Sequence, residues 1–360
     1  MSYVLPLGPY HPALEEPVHV KLLTEGEFIK DSEVFIGYNH RGIEKLTEIR
    51  NPIQTITLVE RVCGICSHSH AMTYCLAVEN IAGMEVPKRG SYIRVILSEL
   101  ERLHSHYLWL GLAAHIVAFD SLFMMCFASR EKIMDMLEVI SGNRVNYAMN
   151  IIGGSRRDIS NEQKETLIKM IAELRSEYKN IYKVYAKDSS IAARTKGVGI
   201  LTKDDALNYG ACGPHGRASG VNFDVRKTMP YNCYEEFDFN VAVANDGDVF
   251  SRAVVRLIEI EESCKIIEQA LNNMPDGPIN LGNKIPKVPV GEYMAVIEAP
   301  RGEVTYYVVS NGGQTNGRVN IHVPTFKNAM TVPVMLKNNT IADAGLIVAS
   351  IDPCFSCLDR

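Results

Sequence analysis

Residues 60–70 read ERVCGICSHSH, and residues 352–360 at the far end of the chain read DPCFSCLDR. Each stretch carries a C-x-x-C pair, Cys63 with Cys66 and Cys354 with Cys357. That spacing puts two sulfurs on one side of a short turn, so two pairs together can build a four-sulfur site. Nearly three hundred residues separate the pairs, and a shared site therefore requires opposite ends of the chain to meet. The first pair also opens a helical pattern, and a helix N-terminus favours thiolate over thiol. Spacing alone leaves three chemistries open: structural zinc, a dithiol redox pair, and a nickel- or iron-containing centre, since thiolates suit all these metals. The long separation counts against a zinc knuckle, whose pairs sit within tens of residues. The remaining cysteines, at 75, 126, 212, 233 and 264, lack such pairing and read as small buried hydrophobes.

The chain around these pairs has 360 residues, enough for one large domain or two. Hydrophobic content of 46% and charged content of 22% are those of a globular protein and exclude disorder and coiled coil. A net charge of −5 argues against a nucleic-acid binder, which carries a basic face. The absence of a secretory signal pattern points to a reducing compartment, where cysteines serve metal or redox chemistry rather than a disulfide framework. Residues 107–128, YLWLGLAAHIVAFDSLFMMCFA, approach spanning length, but His115, Asp120 and Ser121 interrupt them. A central carboxylate costs roughly 2.5–3.5 kcal/mol in a bilayer, so the reading is a buried core helix.

Residues 18–23 (VHVKLL) and 32–37 (SEVFIG) predict a hairpin with Gly26 in its turn. Residues 91–118 place Ile93, Leu97, Leu100, Leu103 and Leu108 at helical spacing. Ser160 with Gln163 forms a capping box ahead of a long amphipathic helix, and 249–272 predicts another. A stretch rich in Pro and Gly, Met274 to Pro278 with prolines at 286 and 289, precedes three short strands at 292–300, 303–310 and 318–324. The expected fold is helix-dominated α+β, a central long-helix bundle with small β pieces near both termini. It is expected as a single domain: a β portion over 1–50, a helical core over 51–272, and a β-containing part over 273–360 that closes the sulfur site.

The two cysteine stretches closely resemble the metal-binding motifs of nickel–iron hydrogenase large subunits. Residues 40–45 (HRGIEK), 299–302 (APRG) and 323–325 (VPT) resemble three further motifs of that family, in the same order along the chain. Residues 8–12 (GPYHP), 153–158 (GGSRRD), 213–220 (GPHGRASG) and 224–227 (DVRK) resemble the quinone-site subunit of respiratory complex I. A chain with both sets is similar to the energy-converting, membrane-bound hydrogenases of the Ech type.

That resemblance implies a fold of the hydrogenase large-subunit kind and a nickel–iron centre whose iron carries cyanide and carbonyl ligands. Cys63 and Cys354 would be terminal on nickel, and Cys66 and Cys357 would bridge to iron. Hydrogen would split heterolytically, with Cys354 the first proton acceptor and Glu16, or its neighbour Glu15, relaying the proton outward. Arg301 and Thr325 would donate to cyanide, with Pro300 in the arginine loop; Asp352 would orient Arg301, and His70 would stand beside a bridging sulfur. His68 has no such correspondence and reads as structural. Glu44 matches a carboxylate that binds magnesium near the C-terminus. Two positions depart from the pattern. Arg360 stands where many relatives have a metal-binding histidine, and a guanidinium has no lone pair for an ion; it would instead pair with Glu44. Ser105, in His104-Ser105-His106, stands where many relatives carry aspartate. The implied partners are an iron–sulfur small subunit, since this chain lacks a ferredoxin-like run of cysteines, then ferredoxin-type electron carriers and membrane-integral ion-pumping subunits. The implied place is the cytoplasmic face of the membrane. The alternatives within this resemblance are a complex I-like subunit handling a quinone or sulfur compound, and a zinc-holding assembly subunit.

Overall fold

The computed structural model describes residues 2–11, 16–282 and 287–360; Pro12, Glu15 and Pro286 lie outside them. Strands Ser2–Leu7, His19–Glu25 and Phe28–Phe35 form an antiparallel sheet in chain order. The expected hairpin is present, with Gly26 at φ 61° in its turn, but its second strand begins at Phe28. Ser2–Leu7 carries Pro6 and escaped the sequence pattern; as an edge strand it tolerates a missing N–H. Val20, Leu22 and Ile29 point into the core. On the far edge, Ile29 N donates to Asn339 O at 2.9 Å and Asn338 N to Ile29 O at 2.8 Å, which ties the C-terminal region to the N-terminal sheet.

Four long helices form the middle: Lys88–Ile116, Asp120–Ser141, Asn161–Lys187 and Val249–Asn273. The third starts as expected, with both hydrogen bonds of the Ser160–Gln163 capping box formed. Its buried stripe runs Leu167, Ile171, Leu174, Tyr178, Ile181 and Tyr185, at the three- and four-residue steps of one helix face. The first helix has the expected extent, yet it is buried on every side through most of its length. Its non-apolar faces satisfy this burial with ion pairs. Glu99 accepts from Arg102, Arg226, Tyr234 and Ser263. Burial alone would raise its carboxyl, but Arg102 and Arg226 outweigh that and hold it at about 2.

The apolar run 107–128 is not one buried helix. The first helix stops at Ile116, Ala118 turns the chain at φ 62°, and the second begins at Asp120. His115 and Asp120 meet across this corner at 2.7 Å, and Met124 is 62% exposed. No helix among the described residues is long and apolar enough to cross a membrane.

Near the C-terminus, Val290–Ala299, Gly302–Asn311 and Asn316–His322 form a second antiparallel sheet, at the three expected strands. One hydrophobic cluster unites both sheets with the helix Ser67–Ile81 and contains all four motif cysteines. A second fills the four-helix bundle. The sulfur site thus sits inside the core that joins the two chain ends.

Burial holds His68 and His104 at about 3 and His70 at about 4, and lowers His106 and His215 too. All five are neutral in the fold and take up protons on unfolding once pH drops below about 6.5. Their contribution to stability is complete above that pH and is lost as pH falls toward the folded values, by up to about 2 kcal/mol each at pH 5 for His68, His70 and His104. Glu101, raised by burial to about 8, works in the opposite direction with a single proton. Urea unfolding is therefore expected to show a much lower midpoint at pH 5 than at pH 7; equal midpoints would contradict neutral burial of these histidines.

Candidate metal centre

Each C-x-x-C turn organises itself. Ile65 N donates to Cys63 Sγ at 3.3 Å, and Cys357 N donates to Cys354 Sγ at 3.4 Å. Cys66 is then the N-cap of Ser67–Ile81, and Cys354 the N-cap of the short helix Phe355–Asp359. The two turns meet. Cys354 Sγ lies 3.4 Å from Cys63 Sγ and 3.1 Å from Cys357 Sγ, and Cys66 Sγ lies 3.4 Å from Cys357 Sγ. All four are buried. Sulfurs around a tetrahedral metal with bonds of about 2.3 Å are about 3.7 Å apart, so a small outward shift would seat an ion. Hydrogen bonds from Cys354, Cys357 and Cys66 hold the Cys63 thiol well below its usual range, while burial pushes Cys357 up. Among the described residues, Cys63, Cys66 and Cys357 are the one group of three or more His, Cys, Asp or Glu ligands with metal-binding closeness.

The segment 37–44 clamps the last helix against the first turn. Asp359 accepts from Gly37 N and Asn39 N, and its carbonyl contacts His40 Nδ1 at 2.8 Å. Arg41 bonds Arg61 O and Val62 O on one side and Ser356 O on the other, so one guanidinium braces both cysteine motifs. The sequence marks this stretch by its likeness to a family motif but shows neither role. Asp359 and Arg41 declare themselves only through partners some three hundred residues away or in the folded turn.

A small cavity of about 10 Å³ lies beside the sulfurs, lined by Cys66, Cys354, Cys357, His70, Arg301 and Thr325 among others. Cys66 and Cys357 are thus on its wall. Arg301 sits at the apex of the two-residue turn Pro300-Arg301 between the paired residues Ala299 and Gly302, and Pro300 is buried there. Asp352 Oδ1 accepts from Arg301 Nε at 2.9 Å and from Nη2 at 2.8 Å. The remaining guanidinium nitrogen, Nη1, is buried and has no hydrogen-bond partner. Thr325 Oγ1 accepts from Cys354 N at 3.1 Å, which leaves its own hydrogen free to donate.

His70 Nδ1 meets the Tyr306 hydroxyl at 2.7 Å and Nε2 lies 3.3 Å from Cys357 Sγ. Burial keeps both Tyr306 protonated and His70 neutral; with Tyr306 donating to Nδ1, Nε2–H is aimed at the sulfur. His68, by contrast, has both ring nitrogens engaged elsewhere, Nε2 with Arg94 O and Nδ1 with Asn150. Glu16 accepts from Ser356 N at 3.0 Å and from the Ser356 hydroxyl, between the second pair of cysteines. Glu44 is elsewhere, at the C-terminus, where it bonds Arg360, Arg318 and Ile321 N.

Sequence reasoning missed Arg256. Its guanidinium is buried 4.0 Å over the Trp109 ring, with Nε 3.8 Å from Asp352 Oδ2, so Asp352 lies between two arginines. Nor did it reveal that residues 213–220 buttress the arginine turn. Gly213, at φ 65°, is so close that a Cβ there would stand 2.3 Å from Arg301 O and 2.5 Å from Gly302 Cα. Arg102 holds the preceding strand end by bonding Glu298 O and Ala299 O. Ser105, with its buried hydroxyl unpartnered, adds no anchor. Gly213→Ala must displace this turn, and is expected to cost about 2 kcal/mol or more in urea unfolding, whereas Gly83→Ala, equally left-handed but with open space around it, should cost about 1 kcal/mol.

Residues 117–285 and 280–360 match the family described as respiratory-chain NADH dehydrogenase, 49 Kd subunit, and residues 41–122 match the nickel-dependent hydrogenases. The chain belongs to this family of hydrogenase-related oxidoreductase subunits. The carbon monoxide-induced hydrogenase of Rhodospirillum rubrum is 43% identical over 360 residues, covering 100% of this chain and 99% of that protein. The membrane-bound hydrogenase alpha subunit of Pyrococcus furiosus is 42% identical, covering 99% of this chain and 87% of its own. An NADH-quinone oxidoreductase subunit of Clostridium beijerinckii is 38% identical, over 99% of this chain and 96% of that one.

Proposed function

We propose that the chain is the hydrogen-activating large subunit of a membrane-associated, energy-converting nickel–iron hydrogenase, interconverting H2 with protons and electrons. The observation that carries this reading is Arg301 Nη1, an unpaired buried cationic donor on a small cavity beside the sulfurs. A structural zinc tetrahedron has no use for such a donor; small anionic ligands do.

Cys63, Cys66, Cys354 and Cys357 would hold the nickel–iron centre. Arg301 Nη1 and the Thr325 hydroxyl would donate to cyanide. Bound there, the centre would supply the Lewis acidity and redox capacity for heterolytic cleavage of H2. The protein's share is positional. Asp352 fixes the arginine fork, Tyr306 sets the His70 tautomer so that Nε2–H faces Cys357, Cys354 Sγ takes the proton first, and the Glu16 carboxylate carries it away from the turn. Electrons would pass to an iron–sulfur subunit and on to ferredoxin-type carriers, with ion-pumping subunits in the membrane and this chain on its cytoplasmic face. The names of the hydrogenase relatives support such an assembly.

The second reading, a subunit acting on a quinone or sulfur compound, is favoured by the match to the NADH dehydrogenase family over both helical core and C-terminus. One preparation separates the readings. The purified complex is expected to contain equimolar nickel and iron in this chain, to show cyanide and carbonyl infrared bands, and to exchange deuterium gas with protons. Zinc in the sulfur site without those bands would refute the proposal, and quinone reduction without exchange would favour the second reading.

A further inference from the structure

The family resemblance implies a divalent cation at Glu44, and the residues there do not fit one. Glu44 Oε1 accepts from Arg360 Nε at 3.0 Å and from Ile321 N at 3.0 Å, while Oε2 accepts from Arg318 Nη2 at 2.8 Å. Both oxygens therefore already face donors, and two of the three belong to guanidinium groups. A cation brought to this carboxylate would stand against two fixed positive charges. Other oxygens near the last helix are engaged as well. Leu358 O accepts from Arg360 Nη1 at 2.8 Å, Asp359 O contacts His40, and both Asp359 carboxylate oxygens accept backbone N–H groups. Arg318 is itself held from the far side by Glu48.

We infer that Arg360, with Arg318, takes the place of the divalent cation and locks the last helix to the 43–48 helix by a charge-assisted Arg–Glu–Arg triad. The physical requirement at this spot is a positive charge that ties Glu44 to the chain end. An ion meets it by coordination and a guanidinium meets it by directed hydrogen bonds. Arg360 makes two, one to Glu44 and one back to Leu358 O, so the side chain spans the end of the helix that carries Cys357. Side-chain exposure of 17% at Glu44 and 22% at Arg360 leaves the pair partly shielded from competing water and salt. Closure of the sulfur site from this end then needs no divalent ion. This goes beyond the proposed activity and holds whatever metal the cysteines carry.

The test uses the purified complex. Its thermal midpoint, followed by release of this chain's metal and by loss of its helical signal, is measured in EDTA and in millimolar magnesium. The same is done for Arg360→Gln, Glu44→Gln and the double variant. The wild-type midpoint is expected to be the same in both buffers. Each single variant should lower it by about 2 °C or more, and the double variant should fall no further than the worse single, because both remove one interaction. A wild-type midpoint that drops in EDTA and recovers with magnesium would overturn the inference, as would strictly additive losses in the double variant.

Discussion

Cys357→Ser is expected to yield a folded chain that contains no nickel and exchanges no hydrogen isotopes, a loss of more than about a thousandfold. Cys357 Sγ touches both cysteine motifs and the histidine beside them: it lies 3.1 Å from Cys354, 3.4 Å from Cys66 and 3.3 Å from His70 Nε2. Serine nearly matches the shape, so the core around Phe355 and Leu358 should close as before. Its hydroxyl keeps its proton at neutral pH and is a hard donor, whereas soft-site metals select thiolate. His70 then faces an alcohol that cannot accept as an anion. The matching control is Cys264→Ser in the helical bundle, where the thiol is buried among apolar side chains. There the expected result is a stability cost of about 1–3 kcal/mol for an unpaired hydroxyl, with nickel content unchanged. Nickel retained in Cys357→Ser would remove this residue from the ligand set.

The contrast between those two cysteines marks what could be read before folding. The cysteine pairs are local patterns, two sulfurs per turn, so the sequence carries them whole. The helix from Asn161 was legible for the same reason, with its cap, stripe and end all lying within one stretch. The helix 88–116 was legible only on its apolar face. Glu99 and Arg102 look like solvated charges in sequence; the Glu99 partners Arg226, Tyr234 and Ser263, and the Arg102 partners Glu298 O and Ala299 O, lie more than a hundred residues away. Local apolarity misled at 107–128, where average hydropathy hides a single residue, Ala118, with a positive φ. The polar pair His115 and Asp120, which interrupts that run, was the signal of the corner. Arg41, Arg256 and Asp359 were invisible as site residues because their function is to bridge segments. Family likeness placed Arg301 and Asp352 near the cysteine pairs; what it could not supply is the turn on Gly213 that presses Arg301 into position.

Glu16→Gln should separate proton movement from metal binding. The Glu16 carboxylate caps the turn between Cys354 and Cys357 by accepting from Ser356 N at 3.0 Å and from the Ser356 hydroxyl. Glutamine keeps an oxygen for the Ser356 N–H, so the turn and its sulfurs should remain in place, with nickel content and infrared bands as in the wild type. What it loses is the ability to take and release a proton beside Cys354. Removal of a positioned acid–base group costs about a hundredfold to ten thousandfold, and deuterium–proton exchange should fall within that range. Glu16→Asp retains the chemistry but withdraws the carboxyl by one methylene, so its exchange rate should lie between the two. Glu15→Gln, at a position outside the described residues, is expected to leave exchange within about threefold of wild type. If Glu16→Gln exchanges at the wild-type rate with its metal intact, the proton leaves Cys354 by another route. If exchange and nickel vanish together, Glu16 serves to hold the turn rather than to carry the proton.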